Sequence, residues 1–248
     1  MKSSKIISLS IVVALVVVNV VLIWALNEEN SRWGRILCSG IYCLYFLVTD
    51  SSKKVFLLGA LLLFLIADIF ILDFESTIAQ QAFFALHSSA YLLLLFEIKE
   101  NLEKFHMSSF QKLYFSIVFA VNGIFVFVIG NTLTAGNNDI ALTLLFYLHG
   151  FSSLLLIAGA ILVYDRYSNE ISASFLVGVL ALALSNLTGF ASIYLDHTTF
   201  LYLSRIFYIL ALFCLVHFSE ISNGAQSRDL NELEAKEENT KGTSYHEY

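Results

Sequence analysis

Eight apolar runs follow one another along the chain, separated by short polar stretches. They are Ile6–Leu26, Trp33–Thr49, Val55–Leu72, Ile78–Phe96, Phe110–Ile129, Ile140–Tyr164, Phe175–Leu195 and Phe200–Phe218. Most reach the roughly 17–25 residues that a helix needs to cross the hydrocarbon core of a bilayer. The second is the weakest, because its unbroken apolar content is short. The first follows Lys2 and Lys5, as a signal peptide would, but it exceeds the about 7–15 apolar residues of a signal sequence and reads as an uncleaved anchor. The pattern therefore predicts an all-α integral membrane protein, one bundle of about eight transmembrane helices over residues 1–218. The tight connections "DFEST" and "DHTT" make the third and fourth segments, and the seventh and eighth, antiparallel neighbours. Asp68 in the third segment and Asn186 in the seventh hold matching places, a hint of two four-helix halves in parallel orientation.

Composition agrees with the pattern. Of 248 residues, 58% are hydrophobic and 14% charged, with a mean hydropathy of +0.75, against about 45–50% and about 25% in soluble domains. The net charge of −6 arises mostly beyond the last segment. Residues 219–248 hold seven acids and three bases, and read as a solvated, disordered cytoplasmic tail in which "LNELEAKEEN" could form a short helix. No basic stripe points to nucleic acid. Cys38, Cys43 and Cys214 lie inside apolar segments without metal-ligand spacing, and read as small buried hydrophobes. Proline is absent, which argues for straight helices and against a transporter built on proline-broken ones.

Basic residues set the expected orientation. With the N-terminus in the cytoplasm, Lys2, Lys5, Lys53, Lys54, Lys99, Lys104, Lys112, Arg166, Arg228, Lys236 and Lys241 fall inside, and only Arg32 and Arg35 outside. Eleven against two places both termini in the cytoplasm of a multi-pass protein, with the cell membrane as the expected location.

Candidate chemistry lies in the ionisable groups at membrane depth, which are rare and tend to face the bundle interior. These are Asp68, His87, His149 and Arg205, with Asn122 and Asn186 as neutral amides. At the 1.5 Å rise of a helix, Asp68 lies about 6 Å and Arg205 about 7.5 Å below the outer ends of their segments. His87, His149 and Asn186 lie about 14 Å deep on the same measure. All could open on one cavity in the outer half, and the matching depths pair Asp68 with Arg205. Helix–helix hydrogen bonding is the plainer role for His87, His149 and Asn186. A metal site from Asp68, His87 and His149 is disfavoured, since no two of them sit four apart on one helix. No cofactor is implied.

The third to eighth segments resemble the YhhN family of eight-helix membrane proteins, which includes lysoplasmalogenases. The likeness covers Ser52–Phe218 and rests on helix pattern as much as on motif. Ala67-Asp68 resembles a Gly-Asp near the outer end of the family's third helix. Phe83, His87 and Tyr91, the last displaced by one place, resemble an aromatic–His–Tyr set on the fourth, and Tyr147 and Tyr208 resemble tyrosines on the sixth and eighth. Lys53-Lys54 stands where the family has Lys-Pro. Asn186, in Ser185-Asn186, stands where it has the aspartate of a Ser-Asp pair, and Leu212 where it has a glutamine.

The resemblance implies hydrolysis of the vinyl-ether bond of a lysolipid, with Asp68, His87 and Asn186 as catalytic residues. Tyr91, Tyr147, His149, Arg205 and Tyr208 would bind the membrane lipid or lysolipid. Vinyl ethers hydrolyse by proton delivery to carbon, which creates an oxocarbenium ion that water captures. One protonated carboxyl and one carboxylate would suit that step. Asn186 can be neither, though it could orient water, and Asp196 is the nearest alternative acid. Two readings follow: a lysoplasmalogenase-type hydrolase, or a non-catalytic lipid-binding or scaffold protein of the same fold. Reporter fusions at Gly136 and at the C-terminus should report opposite sides of the membrane, the C-terminus cytoplasmic; an external C-terminus would mean an odd number of crossings.

Overall fold

The computed structural model describes residues 2–26, 31–49, 54–103, 112, 116–117, 119–120, 123–124, 126–128, 130, 139–195 and 197–243. Eight α-helices have stated bounds: α1 Lys2–Ala25, α2 Trp33–Val48, α3 Val55–Phe70, α4 Thr77–Glu97, α5 Lys99–Glu103, α6 Ile140–Tyr167, α7 Glu170–Leu195 and α8 Thr198–Thr243. No strand occurs among the described residues. Among the described residues, five stretches are long and apolar enough to cross a membrane: α3 with the 3₁₀ turn Ile71–Asp73 that follows it, α4, α6, α7 and the first part of α8. The apolar parts of α1 and α2 are shorter, Ser10–Ala25 and Trp33–Val48. The fifth apolar run, Phe110–Ile129, and Asn122 within it fall largely outside the described residues. The protein is thus an all-α, multi-pass membrane bundle. The acidic tail departs from its expectation: α8 continues without a break through Thr243, and the residues after Ser219 are rich in good helix formers such as Glu, Ala, Leu and Lys.

Helices pack in ring order. α1 meets α2, α2 meets α3, α3 meets α4, α4 meets α6, α6 meets α7 and α7 meets α8, while α8 closes the ring against α1 and α2. Local chemistry sets the joints. Phe70 leads into the 3₁₀ turn, and extended Ser76 starts α4. Asp139 caps α6 by accepting from the amides of Ala141 and Leu142 at 2.9 and 3.2 Å, and it also accepts from Gln81 Nε2 at 2.8 Å, tying α6 to α4. Ser168, at φ 44°, ends α6 in the left-handed conformation. Asn169 then opens α7 in a reciprocal cap: its side chain accepts from the Ser172 amide at 2.8 Å, and its amide donates to Ser172 Oγ at 3.3 Å.

Packing within a membrane cannot rely on hiding apolar surface from water, because lipid is as apolar as leucine. Leu62, Ile66, Leu144 and Leu148 are accordingly exposed on the outer faces of α3 and α6. Close approach and interhelical hydrogen bonds do the joining instead. Along α7, Ser174, Gly178, Ser185 and Gly189 form a stripe of small residues against α8. Ser185 Oγ donates to the Ser204 carbonyl and Ser204 Oγ to the Ser185 carbonyl, each at 2.9 Å; Ser174 Oγ donates to the Cys214 carbonyl at 2.9 Å. A Cβ at Gly178 would lie 3.2 Å from Cys214 Cβ and 3.4 Å from the Ala211 carbonyl oxygen. At the far end of the bundle, Lys54 pairs with Glu97 at 3.0 Å and lies 4.4 Å over the Phe218 ring, and Tyr45 donates to Glu220 at 2.7 Å.

Gly178→Leu should therefore destabilise the bundle by about 1–3 kcal/mol through overpacking at the α7–α8 seam. Thermal unfolding in detergent, followed by the monodisperse fraction remaining, checks this against Leu187→Ala. Leu187 lies on the same helix but is 47% exposed, and its replacement should leave the midpoint unmoved.

Candidate functional site

The site lies at the end of the bundle where α3 turns into α4 and α7 into α8. On α3, Leu57, Leu61, Phe64 and Asp68 recur at helical spacing and are buried on one face. Asp68 is the last of them and is 0% exposed. Its Oδ1 accepts from Arg35 Nε of α2 at 2.6 Å, and its Oδ2 accepts from the Tyr208 hydroxyl of α8 at 2.6 Å. Arg35 also lies flat on Tyr208, with its guanidinium carbon 4.1 Å from the ring centroid. One carboxylate thus joins three helices. An unpaired charge here would cost at least about 2.5–3.5 kcal/mol, and the pairing removes that cost.

The depth match between Asp68 and Arg205 does not become a contact. Arg35 takes the place expected for Arg205, for a physical reason: it sits two residues inside the apolar start of α2, at a depth close to that of Asp68. Counting it among the loop charges hid it. The signal was "SRWGRILCSG", where Arg35, Cys38, Ser39 and Tyr42 fall at spacings of three, four and seven and are all buried. Arg205 is also buried, at 4% exposure, with no hydrogen bond or ion pair to a described residue, and its Nε is fully enclosed without a partner.

Behind Arg35 stands an aromatic layer. His87 Nε2 lies 3.5 Å from Arg35 Nη2. The His87 ring packs, tilted, 4.2 Å from Phe83 and meets His149 at 5.7 Å; His149 in turn lies 5.3 Å from Tyr91. Asn186 Nδ2 donates to the Tyr91 hydroxyl, so α7 is joined to α4. The Nδ1 atoms of His87 and His149 are buried without a partner.

A cleft with a cavity volume of about 80 Å³ lies between α2 and α4 on one side and α7 and α8 on the other. Ile71, Phe74, Phe83, Phe190, Ile193 and Leu201 form its apolar walls, and Arg32, Arg35, Ser185, Asn186, Ser192, Ser204 and Arg205 its polar parts, with Gly189 between. At its mouth Arg32 makes a two-pronged contact with Glu75, at 2.6 and 3.0 Å, and donates to the Leu72 carbonyl at 3.2 Å. The hydrogen bonds from Arg32 hold the Glu75 carboxyl below its ordinary pKa.

Two of the sequence candidates, Asn186 and Arg205, line this cleft. Asp68, His87, Tyr91, His149 and Tyr208 are gathered one layer behind it. Tyr147 goes elsewhere. It stands two residues, about 200° of helix turn, from His149, and it borders a groove shared with Gly123, Val126, Leu148, Phe151 and Leu154. Asp196 lies outside the described residues. Among the described residues, no Asp, Glu, His or Cys lines the cleft, and no three such side chains are grouped as a metal ion would need. Both oxygens of Asp68 accept hydrogen bonds, one of them from a cation. That arrangement holds the carboxyl in place from two sides.

Asp68→Asn and Arg35→Gln should each lower stability by about 3–5 kcal/mol, because each leaves its partner charge buried and alone. The double variant should recover much of the loss, whereas Arg205→Gln, which breaks no hydrogen bond or ion pair and removes a buried charge, should be at least as stable as the parent. A double-mutant cycle on thermal midpoints in detergent decides; additive losses for Asp68 and Arg35 would sink the clasp.

In comparisons with known proteins, no family model, no curated protein and no solved structure matches this chain.

Proposed function

We propose that this chain is a lipid-binding membrane protein that takes a single-chain lysolipid into the cleft between α2, α4, α7 and α8, and that it belongs with the YhhN-like fold as a member without vinyl-ether hydrolase activity. The observation that carries the reading is the make-up of the cleft. Aromatic and aliphatic walls suit an acyl chain, the arginines suit a headgroup, and the described lining holds no group able to deliver a proton to carbon at neutral pH. Asp68, the carboxyl the hydrolytic reading needs as acid, has both oxygens taken by Arg35 and Tyr208. Both termini are cytoplasmic in this proposal, so the mouth opens outward. Removing buried Arg35 from the loop count leaves eleven inner basic residues against Arg32 alone, which supports that orientation.

One observation favours the hydrolytic reading as the second. Asn186 lines the cleft and is held by Tyr91, so an aspartate at this position would meet the cleft near the Arg35–Asp68 pair. A carboxyl there would be the missing acid and would also face the oxocarbenium ion directly, with Asp68 holding Arg35 in the cleft wall. Purified protein incubated with a defined lysoplasmalogen should release no fatty aldehyde above background. Asn186→Asp should raise release by about tenfold or more, in line with the about 10²–10⁴-fold that a placed general acid contributes. Rapid release by the unaltered protein, abolished by Asp68→Asn, would replace the binding reading with the hydrolytic one.

A further inference from the structure

Resting on the reading of the cleft as a lipid site, we infer that it selects a single-chain lipid whose headgroup is a phosphate with no balancing ammonium, and that Arg205 is the residue that recognises it. Three guanidinium groups line the cleft, and their charges are not equally balanced. Arg32 is matched by Glu75 at the mouth and Arg35 by Asp68 within. Arg205 faces the same space with no anion hydrogen-bonded to it and its Nε without a partner, and the nearby Asp68 is already bound by Arg35. The cleft as described therefore carries one uncompensated positive charge, in a buried place where such a charge is costly.

The neighbouring polar groups direct the missing anion to Arg205. The hydroxyls of Ser185 and Ser204 already donate to each other's backbone carbonyls, and the Asn186 amide donates to Tyr91. Arg35 is turned to Asp68 and His87. Arg205 is thus the cleft's uncommitted strong donor, and a guanidinium fork fits the oxygens of a phosphate two at a time. A phosphate monoester brings about −1.5 to −2 charges, enough to offset Arg205 and to draw on Arg35 as well. A headgroup ammonium has no complement here: among the described residues no carboxylate lines the cleft, and Glu75 at its mouth is held by Arg32. The apolar walls then meet the part of the acyl chain next to the headgroup.

The test is binding by the purified full chain in a non-ionic detergent, read by thermal shift and by titration. The probes are a monoacylglycerol phosphate, the phosphocholine lysolipid with the same chain, and inorganic phosphate alone. The phosphate monoester lipid should bind about tenfold or more tighter than the phosphocholine lipid, the scale of one charge-assisted contact. Arg205→Gln should bring the two lipids to equal affinity by weakening only the first, and inorganic phosphate should give little protection at the same concentration. Equal affinities in the parent protein, or a preference that survives Arg205→Gln, overturns the inference while leaving the lipid site standing. Protection by inorganic phosphate equal to that by the lipid overturns the lipid as the source of the anion. If neither lipid binds, the lipid reading itself falls and takes this inference with it. Should Arg205→Gln not fold, the headgroup preference of the parent protein and its shrinkage at high salt decide alone.

Discussion

Asp68 accepts from Arg35 and Tyr208 at once, and the site end of the bundle depends on that arrangement. In lipid, helices gain little by hiding apolar surface from one another, so a buried charge pair specifies which faces meet. α3 brings the carboxylate, α2 the guanidinium and α8 the phenol. With these three in register, α8 closes the ring against α1 and α2, and its next polar position, Arg205, one turn before Tyr208, comes to face the cleft. Arg35 lines the cleft while Asp68 behind it does not.

The seam between α7 and α8 complements the clasp by a different means. Small residues let the backbones approach, and the exchange between Ser185 and Ser204 satisfies both hydroxyls inside the interface. This closeness sets the shape of the cleft, since Asn186 and Gly189 lie on α7 beside the seam and Ser204 and Arg205 on α8 across it. A cleft bounded by a tight seam on one side and a charge clasp on the other has rigid walls at its inner end. Its mouth is held by the Arg32–Glu75 contact, where Glu75 is exposed and the attraction is screened by solvent.

Much of the architecture was legible in the residue pattern. Helix class and approximate bounds follow from the length of apolar runs, because a bilayer demands about 20 apolar residues per crossing and leaves few alternatives. The turns at 73–76 and near 197 also stood out, as did the short list of polar residues at membrane depth. That Asp68 would need a positive partner followed from cost alone. Which partner it took did not. Arg35 and Arg205 both lie within reach of its depth, and depth along a helix says nothing of rotation about it. Tyr147 illustrates the same limit, since resemblance by position grouped it with His149 while two residues of helix turn them apart.

The sequence by itself determined that this chain is a helical membrane bundle, roughly where its described membrane segments lie, and which few polar side chains must be accommodated in its interior. Those are one-dimensional consequences of hydrophobicity and helical rise. Only the tertiary structure decided that Asp68 is clasped by Arg35 and Tyr208, that Asn186 and Arg205 share a cleft while His87 and His149 stand behind it, and that Arg205 is left without a hydrogen-bonded anion. These facts depend on how helices distant in sequence rotate and pack against one another. In an apolar solvent that choice is made by a handful of close contacts and buried polar pairs, which leave no period in the chain to be read.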